Sequence, residues 1–246
     1  MDLSLSTALV IAASFLLAGL VKGVIGLGLP TVSMGLLALV ATPAQAAALL
    51  VVPSLVTNVW QMAAGPSLYP LLRRLGPMML AVLAGTWLGT LWLSLSHAAT
   101  TALGIALMLY GAVGLLPLRL RVPPRAEPWL SPLVGAMTGA VTAATGVFVI
   151  PAVPYLQALG LGRDDLVQAL GLSFTVSTIA LGFTLAGAGA FTPALATGSF
   201  MALAPAMAGM LLGQWIRLRI DPKVFRLCFF VGLLLLGGHL ALRPFH

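Results

Sequence analysis

Six stretches of this 246-residue chain carry no charged side chain: 3–21, 23–72, 75–118, 129–162, 166–216 and 227–242. A helix crosses the hydrocarbon core of a bilayer with about 20 apolar residues, and turn residues divide the longer stretches into pieces of that size. Within a bilayer the backbone must satisfy its own hydrogen bonds, which leaves helices or a closed barrel. Alternating strands of about ten residues, the mark of an outer-membrane barrel, are absent. The chain therefore reads as an all-α polytopic membrane protein. Composition agrees, because charged residues make up 7% and hydrophobic ones 60%, against roughly a quarter charged in a soluble domain. The opening MDLSLS lacks the basic start of a secretory signal, so the first apolar segment is expected to be retained.

The few charges set an orientation. Ten of the 12 Lys and Arg residues fall in four clusters: Arg73/Arg74, Arg119/Arg121/Arg125, Arg163, and Arg217/Arg219/Lys223/Arg226. The positive-inside rule places these clusters in the cytoplasm. Threading between them sends 44–64 inward, 75–96 outward toward His97, and 98–117 inward. Residues 166–187 then run outward, 191–215 inward, and 224–242 outward, leaving His246 outside. Residues 130–160 begin and end at cytoplasmic clusters and are too few for two full spans, but sufficient for two half-helices. Residues 3–41 allow two full spans, or one span followed by a broken helix. Breaks are expected at Gly26, Gly28 and Pro30, and at Gly146, Pro151 and Pro154. Interrupted helices survive at membrane depth only when buried in protein or lining a wet cavity.

A shift of 120 residues relates the two halves: Gly19 falls on Gly139, Gly26 on Gly146, Leu50 on Leu170, Val56 on Val176, and Thr57 on Ser177. The expected domains are a first transmembrane repeat over 1–118, a cytoplasmic linker over 119–129, and a second repeat over 130–246. Each repeat is a broken-helix or helical-hairpin element followed by three transmembrane helices. Because 44–64 and its counterpart 166–187 run in opposite senses, the repeats are inverted. Inverted repeats with broken helices are a recurring plan of secondary transporters.

Lys22 is the most informative residue, lying between an apolar helix and the first glycine-rich break. A lysine at the bilayer centre costs about 2.5–3.5 kcal/mol, and no acidic residue in the spanning segments offers to pair with it. An unpaired cation suits an anionic cargo. Gly26, Gly28 and Gly146 would leave backbone N–H groups accessible at the breaks, where a half-helix N-terminus attracts anions. Gly19, Gly23, Gly135 and Gly139 fit close helix packing better. Hydroxyl and amide donors, which can replace the water shell of an oxyanion, come from Thr57, Asn58, Thr142, Ser177 and Thr178. The shift of 120 pairs Lys22, Gly26 and Asn58 with Thr142, Gly146 and Thr178, and these six are expected to converge on one cavity walled by both halves. With a cation on one side only, that site favours a singly charged cargo, since a second charge would stay desolvated.

Two passages carry a family resemblance. AGLVKGVIGLGLPTVSMGLLAL (18–39), followed by PAQAAALLVVPSLVTNVWQ (43–61), resembles the sulfite exporter TauE/SafE family of membrane permeases. GAVTAATGVFVIPAVPYLQALG (139–160), followed by ALGLSFTVSTIAL (169–181), is similar to that family's second repeat. The resemblance implies a secondary transporter, with export suggested by the family, of sulfur-containing anions such as sulfite or organosulfonates like sulfoacetate. It also implies a multi-pass protein of a bacterial cytoplasmic (inner) membrane.

Other classes find little support. An intramembrane enzyme would need a nucleophile–base pair or paired cysteines, and the chain has a single cysteine, Cys228. There is no P-loop for ATP, no metal constellation among His97, His239 and His246, and no cofactor is expected. The formal charge of +7 reports orientation rather than nucleic-acid binding. The partners expected are a small anionic substrate and the lipid bilayer, and a homo-oligomer is compatible with both. The alternatives are a membrane subunit of a larger transport assembly and a permease for another small organic anion. The threading has a direct check: Arg121→Cys should resist a membrane-impermeant thiol reagent added to intact cells, and strong labelling there would overturn the orientation.

Overall fold

The computed structural model describes residues 5–92, 98–116 and 120–242. Among them are ten α-helices and no strand: α1 (Leu5–Ile25), α2 (Leu29–Leu37), α3 (Pro43–Ala63), α4 (Leu68–Trp92), α5 (Ala98–Leu115), α6 (Glu127–Thr145), α7 (Ala152–Ala158), α8 (Arg163–Gly187), α9 (Pro193–Ile216) and α10 (Pro222–Leu242). The order long, short, long, long, long thus occurs twice. Five helices, α1, α3, α8, α9 and α10, are long and apolar enough to cross a membrane, and α5 is a shorter apolar helix. The protein is therefore a polytopic helical membrane protein. His97, Arg119 and His246, and the expected repeat boundary at 118, lie outside the described residues.

The short helices resolve the two ambiguous stretches. With 9 residues in α2 and 7 in α7, they reach only about 14 and 11 Å, well under the roughly 30 Å of a hydrocarbon core. Residues 3–41 thus hold one full helix and one short one. The two half-helices expected in 130–160 are instead a 19-residue helix, α6, followed by the short α7. The same device ends α1 and α6. Gly26 turns to φ +78° and Gly146 to φ +72°, a region open to glycine at little cost. Each still donates its N–H to the carbonyl four residues back: Gly26 to Lys22 (2.7 Å) and Gly146 to Thr142 (2.8 Å).

Helix starts follow local chemistry. Thr42 and Gln45 form a capping box at α3, with Gln45 N donating to Thr42 Oγ1 (3.3 Å) and Thr42 N to Gln45 Oε1 (3.0 Å), which satisfies two N–H groups otherwise left open. Asp164 and Asp165 occupy the first turn of α8, where negative charge is favoured by the helix dipole. Two expected boundaries move. α4 begins at Leu68, so Arg73 and Arg74 are helical rather than in a loop, and α6 begins at Glu127, inside the expected 119–129 linker. The two helices meet there through one ion pair: Arg74 grips Glu127 with two hydrogen bonds, Nε to Oε1 at 2.6 Å and Nη2 to Oε2 at 2.8 Å. Counting charges alone read both as loop residues.

Helices of one half pack chiefly on helices of the other. α1 lies on α9, α6 on α4, α3 on α8, and α5 on α10. The first two crossings are backbone to backbone, and the other two also bring glycine against backbone, Gly171 of α8 on Met62 N and Gly104 of α5 on Ala241 N. A methyl group on Gly209 would stand 2.0 Å from Leu16 O, and one on Gly19 2.1 Å from Ala206 O. Where α6 meets α4, one on Gly135 would stand 2.3 Å from Met78 O, and one on Gly139 2.4 Å from Val82 O. Small residues permit such approach between helices in lipid, where dispersion and weak polar contacts replace the hydrophobic effect. Gly209→Ala and Gly139→Ala should each lower the thermal unfolding midpoint in detergent, through at least the roughly 1–3 kcal/mol of overpacking. Gly232, with nothing within 4 Å of an added Cβ, should accept alanine with no loss and up to about 1 kcal/mol of helix-propensity gain. Equal behaviour of the three variants would refute the close crossings.

Candidate functional site

Lys22 sits in the last turn of α1 and is buried, 4% exposed. Its ammonium group donates to Thr57 Oγ1 (3.1 Å) and to Asn58 Oδ1, both on α3. Of its three N–H donors, the third has no protein acceptor among the described residues. Nor does it meet a carboxylate: the single ion pair among the described residues joins Arg74 and Glu127. An intramembrane cation is thus held by neutral dipoles alone.

The hydrogen bonds beyond Lys22 have one direction. Asn58 spends its Oδ1 on the lysine, so its amide donates onward, to Ser54 Oγ (3.0 Å) and Thr178 Oγ1 (3.3 Å). Thr178 sends its own hydrogen to Phe174 O (2.7 Å). Ser54 must therefore be the donor in its 3.2 Å contact with Thr178. Every acceptor along this seam faces Lys22, and the seam crosses from α3 in the first half to α8 in the second. Ser54, Thr57, Asn58 and Thr178 are all buried.

A cavity of about 370 Å³ opens on Lys22, lined also by Gly26, Thr57, Gln61, Gln157, Arg163, Gln214 and Arg217. Its walls come from α1, α3, α7, α8 and α9, and so from both halves. Gln61 braces the glycine break against α8, donating to Gly26 O (3.1 Å) and Val167 O (3.0 Å). Three cations face this space: Lys22 in its depth, and Arg163 and Arg217 at helix ends. A second cavity of about 740 Å³ lies at the opposite ends of α3 and α8, lined by Ala44, Thr86, Trp87, Thr90, Phe183 and Thr184 among others, with no charged residue. Leu170 on the first cavity and Ala180 on the second are about 15 Å apart along α8. The shift of 120 relates the two linings: Gly23, Trp60, Ala64 and Met210 border the first, and Ala143, Ala180, Thr184 and Thr90 the second.

The nine residues singled out in the sequence separate into groups. Lys22, Gly26 and Thr57 border the basic cavity. Asn58 and Thr178 join the hydrogen-bonded seam behind it. Ser177 is a buried hydroxyl without a partner among the described residues. The remaining three stand apart. Thr142 turns its hydroxyl back to Thr138 O (2.7 Å), as threonine in a helix often does. An added Cβ on Gly146 would meet Met34 and Ala47, and one on Gly28 would meet Val21 and Phe229. The six paired residues therefore do not all line one cavity. Thr142 and Gly146 repeat the backbone role of Lys22 and Gly26 in the other half, without sharing its cavity.

Arg163, Arg217, Gln61, Gln157 and Gln214 were not anticipated at the site. The two arginines were counted only as orientation markers, yet a charge at a helix end is within a long side chain's reach of a cavity one turn inside. Gln61 recurs with Ser54, Thr57 and Asn58 at helical spacing on α3, a polar stripe legible in the sequence, where Gln61 reads as a helix-to-helix contact. Gln157 and Gln214 come from helices that no local pattern connects to Lys22.

Neither a curated protein nor a solved structure matches the chain. A family model, sulfite exporter TauE/SafE, matches residues 11–240. With that match spanning nearly every helix described above, the chain belongs to the TauE/SafE family of sulfite exporters.

Proposed function

We propose that this protein is a secondary transporter that carries sulfite or a small organosulfonate such as sulfoacetate out of the cell, across a bacterial inner membrane, and that Lys22 is its anion-binding residue. The observation that carries the reading is the unpaired cation. Lys22 is buried with one donor to spare, against neutral partners, at the end of a cavity bearing two further cations. A sulfonate or hydrogensulfite oxygen would complete the lysine's hydrogen bonding and neutralise its charge in one step. Thr57 and Asn58 hold the ammonium in place and Thr178 positions Asn58; Gly26 and Gln61 shape the cavity beside it.

The family is one of transporters, and no nucleophile, metal or cofactor is needed for this reading. Two repeats, 1–118 and 130–246, related by inversion, account for the doubled order of helices, the exchanged crossings and the corresponding cavities at opposite ends of α3 and α8. In transporters of that plan the cargo site lies where the repeats meet, and access alternates between sides. The seam from Lys22 through Asn58 to Thr178 lies between the two cavities, where such a closure would act.

Flux of sulfite and of sulfoacetate in proteoliposomes tests this. Lys22→Ala should lower anion flux by roughly 10- to 100-fold, as expected for losing a charge-assisted hydrogen bond to an anion, with little change in expression or elution volume. Thr178→Val, which keeps shape but removes an acceptor from Asn58, should reduce flux by a smaller factor. Wild-type flux in Lys22→Ala would remove the lysine from the mechanism, and absence of any sulfur-anion flux in the wild type would remove the cargo assignment.

A further inference from the structure

We infer that the outer pair of helices, α5 and α10, forms with α7 a second and separate anion site, built for the phosphate group of an anionic lipid or for a free phosphate-type oxyanion. The site is a cavity of about 310 Å³ lined by Tyr110, Arg121, Gln157, Arg226 and the wall residues Gly114 and Phe230. Neither arginine has a carboxylate partner among the described residues. Arg226 lies with its guanidinium 5.4 Å over the Phe230 ring. It also donates to Gly114 O across a long 3.4 Å contact, which leaves most of its donors unused.

The stronger sign is Tyr110. Its side chain is 2% exposed, borders this cavity, and its hydroxyl has no hydrogen-bond partner among the described residues. A buried hydroxyl without a partner costs about 1–3 kcal/mol, and packing alone would be served as well by phenylalanine. The ring is fixed edge-on to Phe229 and Phe230, at 6.4 and 5.3 Å between centroids, so the hydroxyl cannot swing out to water without breaking that cluster. An oxyanion in the cavity would accept from both guanidinium groups, the planar donors best suited to phosphate oxygens, with the phenol a third donor once the bound anion parts the wall around it.

Lipid is the natural source of that phosphate. Leu109, Leu116, Leu120 and Leu235 of the surrounding surface are each more than half exposed, offering apolar contact for acyl chains. Basic pockets between membrane helices on the cytoplasmic side are a recurring form of lipid headgroup site. Gln157 borders both this cavity and the one at Lys22, so an occupant would sit one α7 side chain away from the proposed cargo path. The inference itself does not rest on transport, since it concerns binding to residues outside that path.

Native mass spectrometry and thermal unfolding of the purified full chain test it. The probes are phosphatidylglycerol, phosphatidylcholine and inorganic phosphate, each added to delipidated protein in neutral detergent. One phosphatidylglycerol should be retained per chain with a raised unfolding midpoint, and phosphatidylcholine should be retained several-fold less. Arg121→Gln combined with Arg226→Gln should abolish the preference. Tyr110→Phe, which keeps the aromatic cluster, should weaken retention roughly five- to tenfold, as loss of one hydrogen bond to a charged group does. Stabilisation by inorganic phosphate, lost in the same variants, would support the site with a free anion as its source. Equal retention of the two lipids without a phosphate effect, or unaltered binding in the arginine and tyrosine variants, would overturn it.

Discussion

Backbone-to-backbone crossings between helices hold the halves of this protein together. In lipid a helix gains little by hiding an apolar face, because the surroundings are as apolar as the face. Cohesion must come from close packing, and the closest packing is available where glycine lets one helix backbone touch another. α1 and α9 meet at Gly19, Gly23, Gly209 and Gly213, while α4 and α6 meet at Gly85, Gly135 and Gly139. Each crossing joins the first long helix of one half to the fourth helix of the other. Neither half could therefore open without losing contacts to both partners at once, and the site between α3 and α8 is framed by these two rigid seams.

That frame explains how a buried cation is tolerated. Lys22 lies one residue before Gly23, whose missing side chain lets α9 approach to the point where a Cβ would be 2.2 Å from Met210 O. The lysine's helix is thus fixed against α9 on one side and reaches α3 on the other. Its donors are met by Thr57 and Asn58, whose own hydrogens point away, to Pro53 O, Ser54 and Thr178. A chain of dipoles aligned in one sense stabilises a charge better than the same groups in mixed orientation, because each bond polarises the next. It does not neutralise the charge; in the proposed function the anionic cargo does.

Much of this was legible in the sequence, and for identifiable reasons. Spans were readable because the bilayer demands long uncharged runs: α3, α5, α8, α9 and α10 fall within a few residues of the expected segments. The glycine breaks were readable because positive φ at Gly26 and Gly146 needs glycine. Lys22 stood out because a charge there is costly. Errors arose where one residue served two roles. Arg74 marked an orientation but also lies within α4 and grips Glu127. Thr142 matched Lys22 in register, yet its hydroxyl is absorbed by Thr138 O. Sequence spacing states which face a residue shares, but not whether its hydroxyl is already engaged. The arrangement of Arg163, Gln157 and Gln214 around Lys22 depends on which helix pairs with which, and that is set by the exchanged crossings rather than by any local pattern.

The difference between the two cavities bears on direction. Under the same register that makes their linings correspond, Lys22 becomes Thr142 and Arg163 becomes Pro43. One cavity holds three cations; the other holds threonines, aromatic rings and small apolar residues. A basic pocket with low-dielectric walls concentrates anions at its mouth, whereas the neutral cavity offers hydroxyl donors but no charge to retain what arrives. Passage requires binding strong enough to admit the ion and weak enough to release it. Under the orientation expected from the positive-inside rule, the basic end would face the cytoplasm, and capture would be stronger on the inner side and release easier on the outer. The order of helices recurs while the charges do not, and that difference makes capture and release unequal at the two ends, with net direction left to the anion's electrochemical gradient.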